Sequence, residues 1–128
     1  MGDDFRHEAT RMLRIARRDL KAAMGMLDAS TFDIAHWGYQ VQQAVEKSLK
    51  AWISTLGHDY PFTHDLALLL RLVGDFGDDP SPYRAFEQFS VFATQLRYDD
   101  ELQMPEIDRV AWNERCAALL DHVEQKLA

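Results

Sequence analysis

The chain has 128 residues, a single cysteine and a formal net charge of -7. Its length is that of one ordinary domain covering residues 1–128, and the lone Cys116 excludes a disulfide framework and a cysteine-rich metal site. The acidic balance argues against a protein that coats duplex DNA, because phosphate contacts need clustered Lys and Arg. No signal-peptide h-region and no apolar run of about 20 residues is found, so we expect a cytoplasmic protein with no membrane partner.

Asp3 or Asp4 is the candidate N-cap of the first predicted helix, which runs to about Leu27 with apolar residues at three- and four-residue steps. The basic residues of the N-terminal segment lie on it. They are Arg6, Arg11, Arg14, Arg17, Arg18 and Lys21. The strip of Arg11, Arg14 and Arg18 falls on one helix face, which by default is solvated, with binding of phosphate or RNA as the alternative.

The second predicted helix covers residues 34–56 and follows a short polar connection, so it should lie antiparallel to the first. Thr31 or Asp33 is its candidate N-cap, and Gly57 is expected to end it in the left-handed conformation. One face is apolar at helical spacing and predicts a contact with the core. The polar stripe beside it consists of Tyr39, Gln43, Glu46, Lys47 and Lys50. By default, Glu46 and Lys50 are a solvent-exposed i, i+4 pair worth about 0.2–0.5 kcal/mol.

Three further helices are predicted in the second half of the chain. Thr63 is the expected cap of a short leucine-rich helix, and Ser81-Pro82 begins a helix that carries Phe86, Phe89 and Phe92 toward the core. The polar segment 99–105 is predicted to be a loop, and Asp108 to cap the last helix. No segment alternates with a period of two. The chain is therefore predicted to be all-α: an up-and-down four-helix bundle with an additional short helix.

Three motifs, in this order, resemble the HEPN domain family (higher eukaryotes and prokaryotes nucleotide-binding). They are Gln-Gln-Ala-Val-Glu-Lys-Ser-Leu-Lys-Ala at 42–51, Thr63-His64-Asp65-Leu66, and Arg97-Tyr98. The resemblance covers nearly the whole chain and implies a dimeric bundle of four to five helices. In prokaryotes such a domain is often encoded beside, or fused to, a minimal nucleotidyltransferase. Some members are ribonuclease toxins of toxin–antitoxin pairs, and others are nucleotide-binding or accessory modules.

The ribonuclease members carry an arginine followed four to six residues later by a histidine. Arg97 would be that arginine here, but four intervening residues lead to Leu102 and six lead to Met104, and the next histidine is His122. Leucine and methionine cannot exchange a proton near neutral pH, whereas histidine can. A ribonuclease would therefore need a histidine from elsewhere in the fold, His64 or His36.

From the resemblance and the polar stripe together, we expect a homodimeric nucleotide- or RNA-phosphate-binding or accessory module, with a minimal nucleotidyltransferase as its candidate partner. Phosphate would pair with Lys47, Lys50 and Arg97, while Gln43 would bond a base or sugar. Glu46, His64 and Asp65 would orient these groups, and Tyr98 completes the expected ligand-binding set. No metal or cofactor is expected, because the histidines show no ligand spacing with carboxylates.

Two alternatives remain open. One is a ribonuclease toxin in which Arg97 binds phosphate and His64 serves as acid or base. The other is a structural dimer whose polar stripe is an interface. By default, His64 is a turn residue, and Arg97-Tyr98 ends a helix. The candidates for the dimer face are Trp37, Tyr39, Trp52, Phe62 and Tyr98.

Overall fold

The computed structural model of the protein describes residues 1–94 and 107–128. These ranges contain helices and no strand, which confirms the all-α prediction. The helices are α1 (Asp3–Met24), α2 (Ile34–Thr55), α3 (Leu66–Asp75), a 3₁₀ helix (Ser81–Ser90), α4 (Val91–Thr94) and α5 (Arg109–Gln125). The predicted loop at 99–105 lies outside the described residues. None of the helices in the described ranges has the length and apolarity needed to cross a membrane.

Contacts between helix ends show the up-and-down order. Tyr60, which follows α2, donates a hydrogen bond to Glu8 near the start of α1, so α1 and α2 are antiparallel. The 3₁₀ helix and α4 run back along α2, from Trp52 at one end to Gly38 at the other. Finally, α5 returns antiparallel to α1, and α3 packs against α2 and the 3₁₀ helix.

Helix α2 lies at the centre of the bundle, and its apolar stripe is buried as predicted. The fully buried members are Trp37, Val41, Val45, Leu49, Trp52 and Ile53. Two of them, Trp37 and Trp52, were candidates for the dimer face, and that prediction is wrong. Their indole N–H groups donate inside the fold, to Asn113 Oδ1 at 3.0 Å and to Asp78 Oδ2 at 2.9 Å. A tryptophan is buried at low cost when its N–H has such a partner.

The fourth predicted helix is mostly not α-helical. Residues 81–90 form a 3₁₀ helix, and only the four residues of α4 continue it as an α-helix within the described chain. The reason lies in the spacing of Phe86, Phe89 and Phe92. A 3₁₀ helix has 3.0 residues per turn, so side chains three apart share one face, whereas an α-helix would rotate each ring away from the last. All three rings are about 1% exposed.

Gly38 allows α2 to approach α4 closely. A Cβ atom at this position would lie 2.3 Å from the ring of Phe92, which is itself buried. Any side chain here would force the ring or the helices to move.

Several predicted helix ends are corrected by the structure. The N-cap of α1 is Gly2 rather than Asp3 or Asp4, which lie in the first turn, and α1 ends at Met24, three residues before Leu27. The cap of α3 is Asp65, whose carboxylate accepts a hydrogen bond from Leu68 N, while Thr63 Oγ1 accepts one from Asp65 N. A carboxylate at the N-cap also interacts favourably with the helix dipole, and this favours Asp65 over Thr63 as the cap. Asp108 caps α5 as predicted, through Ala111 N.

Polar contacts fix α5 to both ends of α2. At its start, Arg109 donates to the carbonyls of Met26 and Phe32 at 2.7 and 2.9 Å, which holds the connection between α1 and α2. Just after its end, Lys126 pairs with Asp78 at 2.7 Å. The hydrogen bond from Lys126 lowers the pKa of Asp78 to about 2, despite partial burial.

Candidate functional site

The site is built where the chain turns back along α2. Gly57 has a φ of 81°, as predicted, and His58 N donates to Ile53 O while Gly57 N donates to Ser54 O. This is a Schellman motif, which reverses the chain direction at the end of a helix. The following residues therefore run beside α2. Tyr60 reaches Lys50, and His64 reaches Glu46.

Glu46 lies at the centre of this site, with its side chain fully buried. Its Oε1 atom accepts from Gln42 Nε2 at 3.0 Å and lies 2.7 Å from His64 Nδ1. Its Oε2 atom accepts from Lys47 Nζ at 2.9 Å and from Lys50 Nζ at 3.1 Å. Four donors match the approximately four acceptor positions of a carboxylate. We call this group, together with Gln43, the Glu46 cluster.

The Glu46–Lys50 pair is therefore not the solvent-exposed pair expected by default. Lys50 is 7% exposed and Glu46 is inaccessible to solvent. Burial alone would raise the pKa of Glu46, but hydrogen bonds from Lys47, His64 and Gln42 outweigh it and lower the pKa to about 2. Glu46 is thus ionised at neutral pH and saturated with donors. It can position its neighbours, but it cannot act as a general base.

His64 is the accessible member of the cluster, with 61% of its side chain exposed. Because ionised Glu46 is only an acceptor, the Nδ1 atom of His64 must carry a proton. We assign this tautomer from the hydrogen bond. The second ring nitrogen, Nε2, then faces outward as an acceptor or, when protonated, as a cationic donor. A carboxylate that fixes a histidine in this way is common in sites where the imidazole binds or transfers protons.

The polar network extends beyond the stripe on α2. Lys47 also donates to Gln43 Oε1 at 3.1 Å, and Gln43 donates to Gln42 at 2.7 Å. The ammonium group of Lys50 lies 5.4 Å from the centre of the Tyr60 ring, a cation–π contact. On α1, burial raises the pKa of Asp19, with Lys47 opposing the rise.

Sequence reasoning missed Gln42, Asp19 and Tyr60 as neighbours of the site. Gln42 stands four residues before Glu46, and this i, i+4 spacing could have identified it. Asp19 and Tyr60 come from other elements, so no spacing in the sequence brings them to α2.

The sequence of the chain matches a known domain family. The family model of the HEPN domain matches residues 9–125 of the chain. The chain belongs to the HEPN domain family. No curated protein and no solved structure is significantly similar to it.

In this HEPN domain the predicted ligand-binding residues fall into three groups. Gln43, Glu46, Lys47, Lys50 and His64 come together, as described above. Asp65 instead caps α3 through Leu68 N. Arg97 and Tyr98, which complete the predicted set, lie outside the described residues.

The basic residues of α1 are partly engaged within the HEPN fold. Arg11 pairs with Glu8 at 2.7 Å, and Arg17 pairs with Asp121 of α5 at 2.7 Å. Arg6 donates to Leu127 O at 2.7 Å. The contacts of Arg6 and Arg17 hold α1 to α5 and the residues after it, whereas the Arg11–Glu8 pair lies within α1.

Across residues 1–94 and 107–128, no three His, Cys, Asp or Glu side chains come together in a way that could hold a metal ion. Cys116 is buried in the core, and burial raises the pKa of its thiol to about 12. A reactive thiolate is therefore absent from this position.

Proposed function

We propose that this HEPN domain binds the phosphate of a nucleotide or RNA at the mouth of the Glu46 cluster, as a binding or accessory module. The observation that carries the proposal is the sharing of one buried carboxylate by two lysines beside an exposed histidine. Burying charges is costly, and a purely structural core could be built from apolar residues instead. A largely buried group of charged side chains with one solvent-exposed member is typical of a binding site.

The charge of the cluster favours an anion. Two ammonium groups and one carboxylate leave a formal charge of +1 before His64 and the neighbouring Asp19 are counted. An ammonium group has three donors. Within the described part of the chain, hydrogen bonds occupy two of those donors at Lys47 and one at Lys50. The remaining donor positions, with His64 Nε2, suit the oxygens of a phosphate.

Equilibrium binding of labelled single-stranded RNA and of nucleotides tests the proposal. The variant is His64→Asn, which can still donate to Glu46 but has no Nε2 atom, and the matched control is His36→Asn at an exposed position on α2. Loss of a charge-assisted hydrogen bond costs roughly 1.5–3 kcal/mol, so affinity should fall about tenfold or more. Equal affinities for both variants and wild type would contradict the proposal.

We further propose that the domain acts as a homodimer. Met24, Leu27 and Val110 are large apolar side chains exposed at adjoining ends of α1 and α5, around a groove of about 210 Å³. An apolar surface of this kind supports contact with a second copy of the chain. Light scattering on a size-exclusion column should give a dimer for wild type and a monomer for Leu27→Asp. A wild-type monomer would contradict this part of the proposal.

A minimal nucleotidyltransferase as partner is supported by membership of the HEPN family rather than by a contact. Co-expression with a nucleotidyltransferase encoded beside this chain tests it. A complex that survives size exclusion supports the pairing, and two separate peaks count against it.

A ribonuclease is the second candidate, and the Glu46–His64 contact favours it. With Nδ1–H held by Glu46, the Nε2 atom of His64 could accept the proton of a ribose 2'-hydroxyl as its oxygen attacks the adjacent phosphorus and the 5'-oxygen leaves. Purified protein would then convert RNA to fragments ending in a 2',3'-cyclic phosphate, and His64→Asn would not. RNA that remains intact under conditions where it binds would exclude this candidate.

A further inference from the structure

Phe62 is the most exposed large apolar side chain in the described part of the chain. Its relative exposure is 104%, against 57% or less for the others. A single exposed apolar residue is ordinary at a protein surface and needs no explanation by itself. The position of Phe62, however, distinguishes it from the other exposed apolar residues.

The segment that carries Phe62 is fixed at both ends to the polar network. Two residues before it, Tyr60 lies against Lys50 and donates to Glu8 at 2.6 Å. Two residues after it, His64 contacts Glu46 at 2.7 Å. Between them, Pro61 has a restricted φ and also restricts Tyr60. The backbone at Phe62 is therefore restrained and has little conformational freedom to lose on binding.

The short sequence separation also limits the distance between the backbone of Phe62 and the two residues that contact the cluster. Two residues of fully extended chain span at most about 7 Å, so the backbone of Phe62 lies within that distance of both Tyr60 and His64. The residue that carries the exposed ring is thus two positions from Tyr60, which contacts Lys50, and two positions from the exposed imidazole of His64. This pairing of a flat apolar surface with cationic donors is the arrangement that proteins use for single-stranded nucleic acid.

We propose that Phe62 stacks on a nucleobase of single-stranded RNA whose adjacent phosphate lies at the Glu46 cluster. This inference rests on the proposed function and narrows the ligand to one with an unpaired base. A duplex would be a poor ligand, because its base faces are already stacked.

An acidic recess indicates the direction in which the strand leaves the ring. Asp4, Glu8 and Asp59 line it together with Tyr60, at the end where the Tyr60 hydroxyl meets Glu8. These carboxylates would repel a phosphate. The strand therefore runs from Phe62 toward the lysines and away from this recess at the start of α1.

Three probes separate stacking from phosphate binding: a single-stranded RNA of about ten nucleotides, a ribose-phosphate strand of the same length without bases, and pyrophosphate. They are titrated against wild type, Phe62→Ala and Phe62→Trp. Val91→Ala serves as the control, because Val91 is exposed on α4. Since Phe62 makes no core contact, Phe62→Ala should fold normally.

We expect Phe62→Ala to bind the RNA about tenfold more weakly, with unchanged affinity for the base-free strand and pyrophosphate. Phe62→Trp should retain RNA affinity, and its added indole fluorescence should be quenched by RNA but not by pyrophosphate. Equal RNA affinity for Phe62→Ala and wild type would overturn the inference while leaving the phosphate site intact. A change in oligomeric state with unchanged RNA affinity would also overturn it and make Phe62 a self-association residue. If wild type bound none of the probes, the proposed function would fail as well.

Discussion

Replacing Glu46 by glutamine tests whether the buried carboxylate holds the cluster together. The substitution keeps the size of the side chain but removes the charge that Lys47 and Lys50 share. It also places an amide N–H group where an acceptor is needed. The pKa of Glu46 falls from 4.5 to about 2 in the fold. At about 1.4 kcal/mol per pKa unit, this shift corresponds to roughly 3 kcal/mol of unfolding free energy at neutral pH. Removing one member of a buried ion pair costs a similar amount, about 3–5 kcal/mol.

The pH dependence of this effect has a definite sign. Because the pKa of Glu46 is lower in the folded than in the unfolded chain, its contribution is complete above pH 4.5 and is lost as pH falls toward about 2. The difference in unfolding free energy between wild type and Glu46→Gln should therefore be largest at neutral pH and should shrink across that range. Asp78 also titrates below its ordinary value, but it does so equally in both proteins.

Urea unfolding at a series of pH values measures the difference. Asp75→Asn, at an exposed position at the end of α3, is the control carboxylate and should stay within about 0.5 kcal/mol of wild type. The reasoning is refuted if Glu46→Gln lies within about 1 kcal/mol of wild type at neutral pH. A difference that stays constant across the acid range would refute it equally, because an effect independent of pH cannot come from the charge.

Three further predictions concern the packing of the bundle. Gly38→Ala should lower the unfolding free energy by about 1–3 kcal/mol in calorimetry, because its Cβ would meet the ring of Phe92. The control Gly74→Ala should be neutral or stabilising by up to about 1 kcal/mol, because the nearest atom to its Cβ would be 3.7 Å away. Equal effects at the two glycines would contradict the packing. Arg109→Lys should destabilise by about 1–3 kcal/mol, since one ammonium cannot reproduce the two-pronged contact with both carbonyls, and unchanged urea unfolding would show that this contact is not structural. Cys116 should resist thiol-specific reagents at mildly alkaline pH and react on unfolding, because burial raises the pKa of the thiol to about 12; rapid reaction of the native protein would contradict its placement in the core.

Much of the fold could be predicted from the sequence because long helices with one apolar face leave a clear periodicity. This holds for α1 and α2, apart from the position at which α1 ends. The 3₁₀ helix was predicted as an α-helix, although the spacing of Phe86, Phe89 and Phe92 is three throughout. The α-helical interpretation accepted these positions because a three-residue step also occurs on an amphipathic α-helix.

The candidate site could be predicted only in part. Helical spacing places Glu46, Lys47 and Lys50 on one face of α2, and that placement is found in the structure. Their burial could not be predicted, because periodicity does not show whether a polar face is covered by another element. The covering comes partly from the segment that follows Gly57, which brings His64 to Glu46 across eighteen positions of sequence. Contacts of this kind depend on the path of the chain rather than on local pattern.

The central claim is that phosphate binds at His64 and the adjoining lysines. Nuclear magnetic resonance of the imidazole groups during titration with RNA or a nucleotide tests it most directly, because the chain has five histidines and only His64 belongs to the cluster. We expect a saturable change in the ring signals of His64, with those of His36 unchanged, and loss of that change at high salt. Binding of the ligand that leaves His64 unchanged, or that moves another histidine instead, would contradict the account.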